Sequence, residues 1–225
     1  MSCGKTLAGL AVLLVLSASP PVAAPSCSAE SAGGFLGQTL LEVEHQNFFT
    51  EYNLAEVARK ETPYNARVIV FKPGKTPVPF EVATTVDKRE NVLAIQLWVR
   101  RSFVDGNDGG PGARDIALKF LREAPAPEDV RRLTELINEI QQGDLASHSA
   151  VGSEPPGTEP PSKPSPAYLA FTGKQKSYQQ PLGTSVLQIL NYRDRYGEVL
   201  ILQLAPIGHG KRERATLVPA LGPRL

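Results

Sequence analysis

The sequence has few cysteines and no surplus of positive charge, and each shortage excludes a class of protein. Among its 225 residues there are two cysteines, Cys3 and Cys27. Because we expect Cys3 to be removed with a secretion signal, the mature chain has no pair of cysteines for an internal disulfide. The 24 Lys and Arg residues balance the 23 Asp and Glu residues, whereas binding to phosphate backbones needs a basic surplus. We therefore expect no nucleic-acid partner.

The apolar run near the N-terminus is too short to span a bilayer. Residues 7–16 follow Lys5 and precede a stretch rich in Ser, Pro and Ala, whereas a membrane-spanning helix needs about 20 apolar residues. A positive start, a short apolar core and a small-residue region are typical of a secretory signal. We predict a signal peptide over residues 1–26 and an exported mature protein.

Cys27 directly follows this small-residue region, at a place that resembles the site where bacterial lipoproteins are cleaved and acylated. Acylation would explain a single unpaired cysteine in an exported chain. We predict lipidation at Cys27, which would hold the protein on the cell envelope, or on the outer-membrane surface, without spanning the membrane. The alternative is a secreted or periplasmic soluble form with a free thiol.

The segment from residue 27 to residue 143 predicts a helix, an antiparallel meander and a second helix. Apolar residues recur at mostly helical spacing over residues 35–60, with Asn47 or Asn53 as candidate breaks and Pro63 as the stop. Strand-like runs follow at residues 66–71, 80–86 and 92–104. Residues 115–122 fit a fourth strand or a short helix, and the next helix has one apolar face and ends near Gly143. That face carries Val130, Leu133, Ile137 and Ile140.

The remainder of the chain predicts a linker and a second, smaller β unit. Residues 144–166 are poor in apolar side chains and contain six prolines between Pro155 and Pro166, a composition typical of extended linkers. Within residues 167–225, an apolar run at 167–171 is followed by a predicted hairpin of 185–192 with 198–205. Residues 214–221 fit a last strand.

Residues 87–97 resemble residues 194–204, with Val-Leu and Gln-Leu at the same places in both. An internal duplication would explain this similarity, and so would the common packing demands of any strand-turn-strand segment. We predict an α+β fold with antiparallel sheets that are each covered by a helix. In this interpretation two αβββ(β) units are joined by the proline-rich linker.

Motifs for catalysis and for phosphate binding are absent from the sequence. His45, His148 and His209 form no pair with the spacing of metal ligands. There is no Gly-x-Ser-x-Gly elbow for a serine nucleophile. Gly74-Lys75-Thr76 lacks the leading glycine of a phosphate-binding loop. We expect neither a cofactor nor enzymatic activity.

Residues 105–110 have oxygen-bearing side chains at the spacing that begins a calcium loop. Ile116 occupies the place of the bidentate glutamate that would complete such a loop. Asp, Asn and Gly also dominate ordinary turns. We interpret this segment as the turn of a hairpin that joins residues 92–104 to 115–122, and we expect no metal.

The sequence therefore favours an exported, lipid-anchored protein that acts as a non-enzymatic protein-binding or assembly module, with an unidentified protein partner. Sheet edges and exposed side chains would provide its binding surface. The candidate residues are Trp98, Tyr192, Tyr196, His209, Lys211, Arg212 and Arg214. The alternative is an exported hydrolase whose acid and base are carboxylates brought together only by folding. A structural subunit of an envelope assembly is a third interpretation.

Overall fold

Strands from both halves of the chain pair into a single antiparallel sheet. The computed structural model describes residues 34–62, 65–74, 76, 78–105, 112–149 (side chains up to 145) and 163–207. Its strands are β1 Ala55–Glu61, β2 Arg67–Lys72, β3 Phe80–Val86, β4 Val92–Arg100, β5 Ser177–Pro181, β6 Ser185–Asp194 and β7 Gly197–Pro206. They lie in the order β1-β2-β3-β4-β7-β6-β5. The predicted α+β class is confirmed, but one shared sheet replaces the separate sheet expected for each half.

Six α-helices lie within the described ranges, together with one 3₁₀ turn at Pro127–Asp129. They are α1 Leu40–Glu44, α2 Asn47–Glu51, α3 Arg101–Val104, α4 Gly112–Glu123, α5 Val130–Ser149 and α6 Pro166–Phe171. Not one helix in this part of the chain is long and apolar enough to cross a membrane.

The main core joins the helices to one face of the sheet. Buried residues from all six helices and alternate residues of β2, β3, β4, β6 and β7 form a single hydrophobic cluster. Its centre is aromatic, because Phe48 contacts Phe49, Phe80 and Phe120 at ring-centroid distances of 6.4, 6.3 and 5.6 Å. Buried aromatic side chains remove large apolar areas from water, so this cluster contributes strongly to stability.

The predicted helix over residues 35–60 is wrong in its second half. The chain forms the short helices α1 and α2, and then Asn53 adopts a positive φ of 47° before β1 begins. All seven residues of β1 are exposed. Because β1 therefore shows no alternation of buried and exposed residues, its sequence carries no strand signal.

The predicted hairpin between residues 92–104 and 115–122 is also wrong. β4 ends at Arg100 and leads into α3, and residues 112–123 form α4. Helix was one of the two structures expected for 115–122, and the buried Ala113, Ile116, Ala117 and Phe120 follow helical spacing along α4. The turn segment 106–111 lies outside the described residues.

Two boundaries in the second part of the chain also differ from the predictions. The helix expected to end near Gly143 continues to Ser149. Gly143 lies inside the helix, against the Tyr168 ring, where a Cβ would lie only 2.4 Å from the ring atoms. Residues 167–171, the apolar run before the predicted hairpin, belong to helix α6 and not to a strand, and Ser165 caps the first turn of this helix. The hairpin of 185–192 with 198–205 is confirmed as β6 and β7.

The pairing of β4 with β7 joins the two halves of the chain at the middle of the sheet. Gln96 lies opposite Gln203, with Ile95 opposite Leu204 and Leu97 opposite Leu202. The Gln96 side chain donates from Nε2 to Oε1 of Gln203 over 3.1 Å. Strands β1 to β3 lie on one side of this pair, and β6 and β5 lie on the other.

A buried carboxylate holds the β5–β6 turn against the start of α5. Asp129 is fully buried, and its Oδ2 accepts a hydrogen bond from Ser185 Oγ over 2.6 Å. Its Oδ1 accepts from the backbone N–H of Thr184 over 3.0 Å and from that of Gly183. Because the carboxylate gains several donors, the cost of removing it from water is offset.

We predict that Asp129→Ala lowers the free energy of unfolding by about 3 kcal/mol, because it leaves several buried donors without an acceptor. Urea unfolding followed by circular dichroism measures the change. The neighbouring Glu128 is exposed, so Glu128→Ala is the matched control and should cost less than about 1 kcal/mol. Equal losses in the two variants would contradict the role given to Asp129.

Candidate binding surface at the β6–β7 hairpin

Two exposed tyrosines lie at the end of the sheet where β6 turns into β7. Tyr192 is 38% exposed and Tyr196 is 57% exposed. Arg193 and Arg195 lie between them along the chain and are exposed as well. We call Tyr192, Arg195 and Tyr196 the hairpin patch; Arg193 follows Tyr192 in β6 and therefore points to the opposite face of the sheet. Tyrosine and arginine are enriched at protein interfaces, where they combine apolar area with hydrogen-bonding groups.

A buried ion pair supports the hairpin patch from below. Arg100, at the end of β4, donates from Nη1 to Oδ1 of Asp194 over 2.7 Å. The same oxygen accepts the backbone N–H of Tyr196 over 2.7 Å. These two hydrogen bonds fix the turn relative to the centre of the sheet, so the exposed tyrosine starts from a defined backbone position.

Arginine side chains also contact the Tyr196 ring. The guanidinium carbon of Arg195 lies 4.5 Å from the ring centroid, and that of Arg100 lies 5.5 Å from it. Cation–π contacts at these distances favour one orientation of the ring. These contacts therefore restrict the ring although more than half of the residue is exposed.

The charge of Asp194 depends on the same contacts. The hydrogen bond from Arg100 lowers the pKa of the Asp194 carboxyl below its usual value, and the backbone N–H groups of Tyr196 and Gly197 add to this effect. The carboxylate therefore stays ionised in the folded protein at pH values where an ordinary aspartate begins to take up a proton.

Trp98 is not part of the exposed surface, contrary to our expectation. It lies on the same face of the sheet as Tyr192, in the adjacent row of side chains. However, it is only 2% exposed and packs with Val199 and Ile201. Its indole N–H donates to Gln96 Oε1 over 2.8 Å. A large apolar side chain on a central strand gains more from this packing than from exposure.

The other predicted site residues lie outside the described residues. These are Cys27, His209, Lys211, Arg212 and Arg214. The structure adds the Arg100–Asp194 pair, which sequence reasoning missed because 94 positions separate its two members. The charged turn at residues 193–197 was the only signal for it, and no partner for Asp194 was apparent from the sequence.

The described residues contain no group of three His, Cys, Asp or Glu side chains that could hold a metal ion. No family model, curated protein or solved structure shows a significant match to the chain.

We predict that Asp194→Asn lowers the free energy of unfolding by about 2 kcal/mol at pH 7, because it breaks a hydrogen-bonded ion pair. The pKa of Asp194 is lower in the folded state. The extra free energy of unfolding of the wild type is therefore fully present above the unfolded-state pKa of about 3.9, and it is lost as the pH falls through the folded-state pKa.

Urea unfolding of both proteins between about pH 2 and pH 7 measures this difference. Arg195→Gln is the control, since Arg195 is exposed, and its effect should stay below about 0.5 kcal/mol at every pH. A difference between wild type and Asp194→Asn that does not change with pH would contradict the account of this pair.

Proposed function

We propose that this chain is an exported, lipid-anchored envelope protein that binds another protein through the hairpin patch and catalyses no reaction. The observation that carries the proposal is the exposed pair of Tyr192 and Tyr196 on a turn held by the buried Arg100–Asp194 pair. A rigid, exposed aromatic residue loses little conformational freedom on binding, so more of the contact energy appears as affinity.

The charges around the patch support a role in protein recognition. Arg193 and Arg195 lie between the tyrosines along the chain, and Glu198 lies opposite Arg193 on β7; all three are exposed. Arginine and tyrosine are the residue types that most often dominate the binding energy of interfaces. Mixed charges beside aromatic rings select a partner by complementarity rather than by net charge.

The proposed anchor lies close to the folded domain along the chain. Cys27 precedes Gly34, the first described residue, by seven positions. Seven residues reach at most about 25 Å when fully extended. Acylation at Cys27 would therefore keep the domain next to the membrane surface, where a partner in the same envelope meets it at raised effective concentration.

We further propose that the two halves of the chain are related by duplication and joined by a proline-rich linker. The sequence match pairs residue 96 with residue 203, and these two glutamines lie opposite each other in the sheet. The two glutamines that correspond in the sequence match are therefore also paired across β4 and β7. Two related units with an approximate two-fold axis at this pair would place them in this way. On this basis β2, β3 and β4 correspond to β5, β6 and β7.

We predict that the mature protein, isolated from a membrane fraction, begins at Cys27 and carries a diacyl or triacyl modification. Intact-mass spectrometry measures this directly. Cys27→Ser should move the protein from the membrane to the soluble fraction. An unmodified chain that starts elsewhere would remove the anchor from the proposal and leave the hairpin patch untouched.

We predict that a photoactivatable cross-linking residue at position 196 captures a partner protein in the native envelope as a discrete adduct. Leu41 on α1 is 64% exposed and carries the same cross-linker as the control. Tandem mass spectrometry identifies the adduct, and Asp194→Asn should reduce its yield, because the turn loses its support. Equal adducts from positions 196 and 41 would contradict binding through the hairpin patch.

A further inference from the structure

The two edges of the sheet differ in how they resist pairing with another strand. β1 carries Glu56, Arg59, Lys60 and Glu61, and its register shifts between Glu56 and Ala58. Charges and bulges of this kind protect an edge against added strands. β5, with the sequence Ser-Tyr-Gln-Gln-Pro, has no charged residue and pairs with β6 without a register shift.

The correspondence between the halves also leaves one position of the sheet without a strand. If β2, β3 and β4 correspond to β5, β6 and β7, then β1 should have a counterpart on the outer side of β5. The described strands end at β5 on that side. All residues of β1 are exposed, so β1 is held at its edge of the sheet mainly by its backbone pairing with β2. A strand on the outer side of β5 would be held in the same way.

The backbone groups of β5 that face outward can be identified from the hydrogen bonds to β6. Asn191 N–H donates to Lys176 C=O over 2.9 Å, and Leu182 N–H donates to Ser185 C=O over 2.8 Å. Antiparallel pairs alternate in direction, so the even-numbered residues of this stretch face β6. Ser177, Gln179 and Pro181 direct their backbone groups away from it.

We propose that the outer edge of β5 pairs antiparallel with β5 of a second copy of this chain, with Gln179 opposite its own counterpart. The two Gln179 residues then exchange both backbone hydrogen bonds. Ser177 lies opposite Pro181 of the other copy, so each Ser177 N–H donates to a Pro181 C=O. No like charges meet along this edge, because β5 has none.

The details of β5 fit this particular register. Pro181 has no N–H to donate to Ser177 C=O, but that carbonyl already accepts a hydrogen bond from Gln175 Nε2 over 2.7 Å. The register therefore leaves no acceptor of Ser177 without a donor. Pro181 C=O accepts from Gln180 Nε2 over 3.2 Å and from Arg132 Nη1 over 3.4 Å. Arg132 Nη1 also donates to Leu182 C=O over 3.2 Å, so in the dimer it can release Pro181 C=O to the Ser177 N–H of the second copy and keep an acceptor.

The sheet already contains the side-chain contact that this dimer would repeat. Gln96 and Gln203 lie opposite each other in β4 and β7 and are joined by an amide–amide hydrogen bond. Gln188 and Gln179 continue the same row to the edge. Gln179 Oε1 accepts from Gln188 Nε2 over 3.4 Å. Because Gln179 is exposed, its amide N–H can donate to Gln179 Oε1 of the second copy across a two-fold axis.

A contact of two five-residue strands is small, so the dimer should be weak in solution. Interfaces that bury less than about 1,000 Å² are typical of transient contacts. Sedimentation equilibrium of the full-length chain in density-matched detergent measures the association. We expect a reversible monomer–dimer equilibrium at concentrations up to about 1 mM.

Charge at position 179 provides the decisive variants. Gln179→Glu and Gln179→Lys each place like charges opposite each other at the axis and should weaken the dimer at least about tenfold. An equimolar mixture of the two variants should restore dimers, because opposite charges then meet. Residue 179 is exposed, so both variants are expected to fold, and circular dichroism verifies it.

Val57→Glu, on the exposed and opposite edge strand β1, is the matched control and should leave the dimer unchanged. A wild-type chain that stays monomeric throughout the concentration range would overturn the proposal. So would a dimer that Val57→Glu weakens and the position-179 variants do not. Neither result bears on the anchor or the hairpin patch, which are tested separately.

Discussion

The antiparallel pairing of β4 with β7 is the contact on which the rest of the structure depends. It lies at the centre of a seven-stranded sheet, and it is the place where the first half of the chain meets the second. A shift of one residue in its register would turn the buried side chains of one half to the wrong face. The hydrogen bond between the side-chain amides of Gln96 and Gln203 adds a polar restraint, since a shifted register would leave these buried amides without partners.

Other polar contacts between the halves depend on the same register. Buried Arg101, at the start of α3, donates to Asn191 Oδ1 over 2.7 Å and to Phe171 C=O over 2.8 Å. Asp129 binds the β5–β6 turn, and Arg100 binds the hairpin beside it. Each contact removes a charge from water, so each stabilises the fold only when its partner is in place. Together they select one arrangement of the halves.

Local sequence patterns identify the elements that have one buried and one exposed face, or a clear turn. β3 was predicted with its observed bounds, and β6 and β7 were predicted as a hairpin. Of the apolar face predicted for α5, Leu133, Ile137 and Ile140 are buried, but Val130 is exposed. β1 has no buried side, so its residues were assigned to a helix. α6 is a short apolar segment, and such segments do not distinguish helix from strand by periodicity.

Contacts distant in sequence lie beyond what such patterns show. The turn that carries Tyr196 was visible in the sequence, and the tyrosines there are exposed as expected. The support from Arg100 and the burial of Trp98 both follow from the position of β4 in the centre of the sheet. That position is decided by β7, which lies on the far side of the proline-rich segment. A sequence that reads as two units therefore folds as one sheet.

Cutting the chain between the two halves tests whether they share one sheet. A protease site inserted between residues 155 and 160 allows the purified protein to be cleaved there after folding. We expect the two fragments to stay associated in size-exclusion chromatography and to unfold in a single urea transition. Fragments that separate under native conditions, or that unfold in two independent transitions, would contradict it.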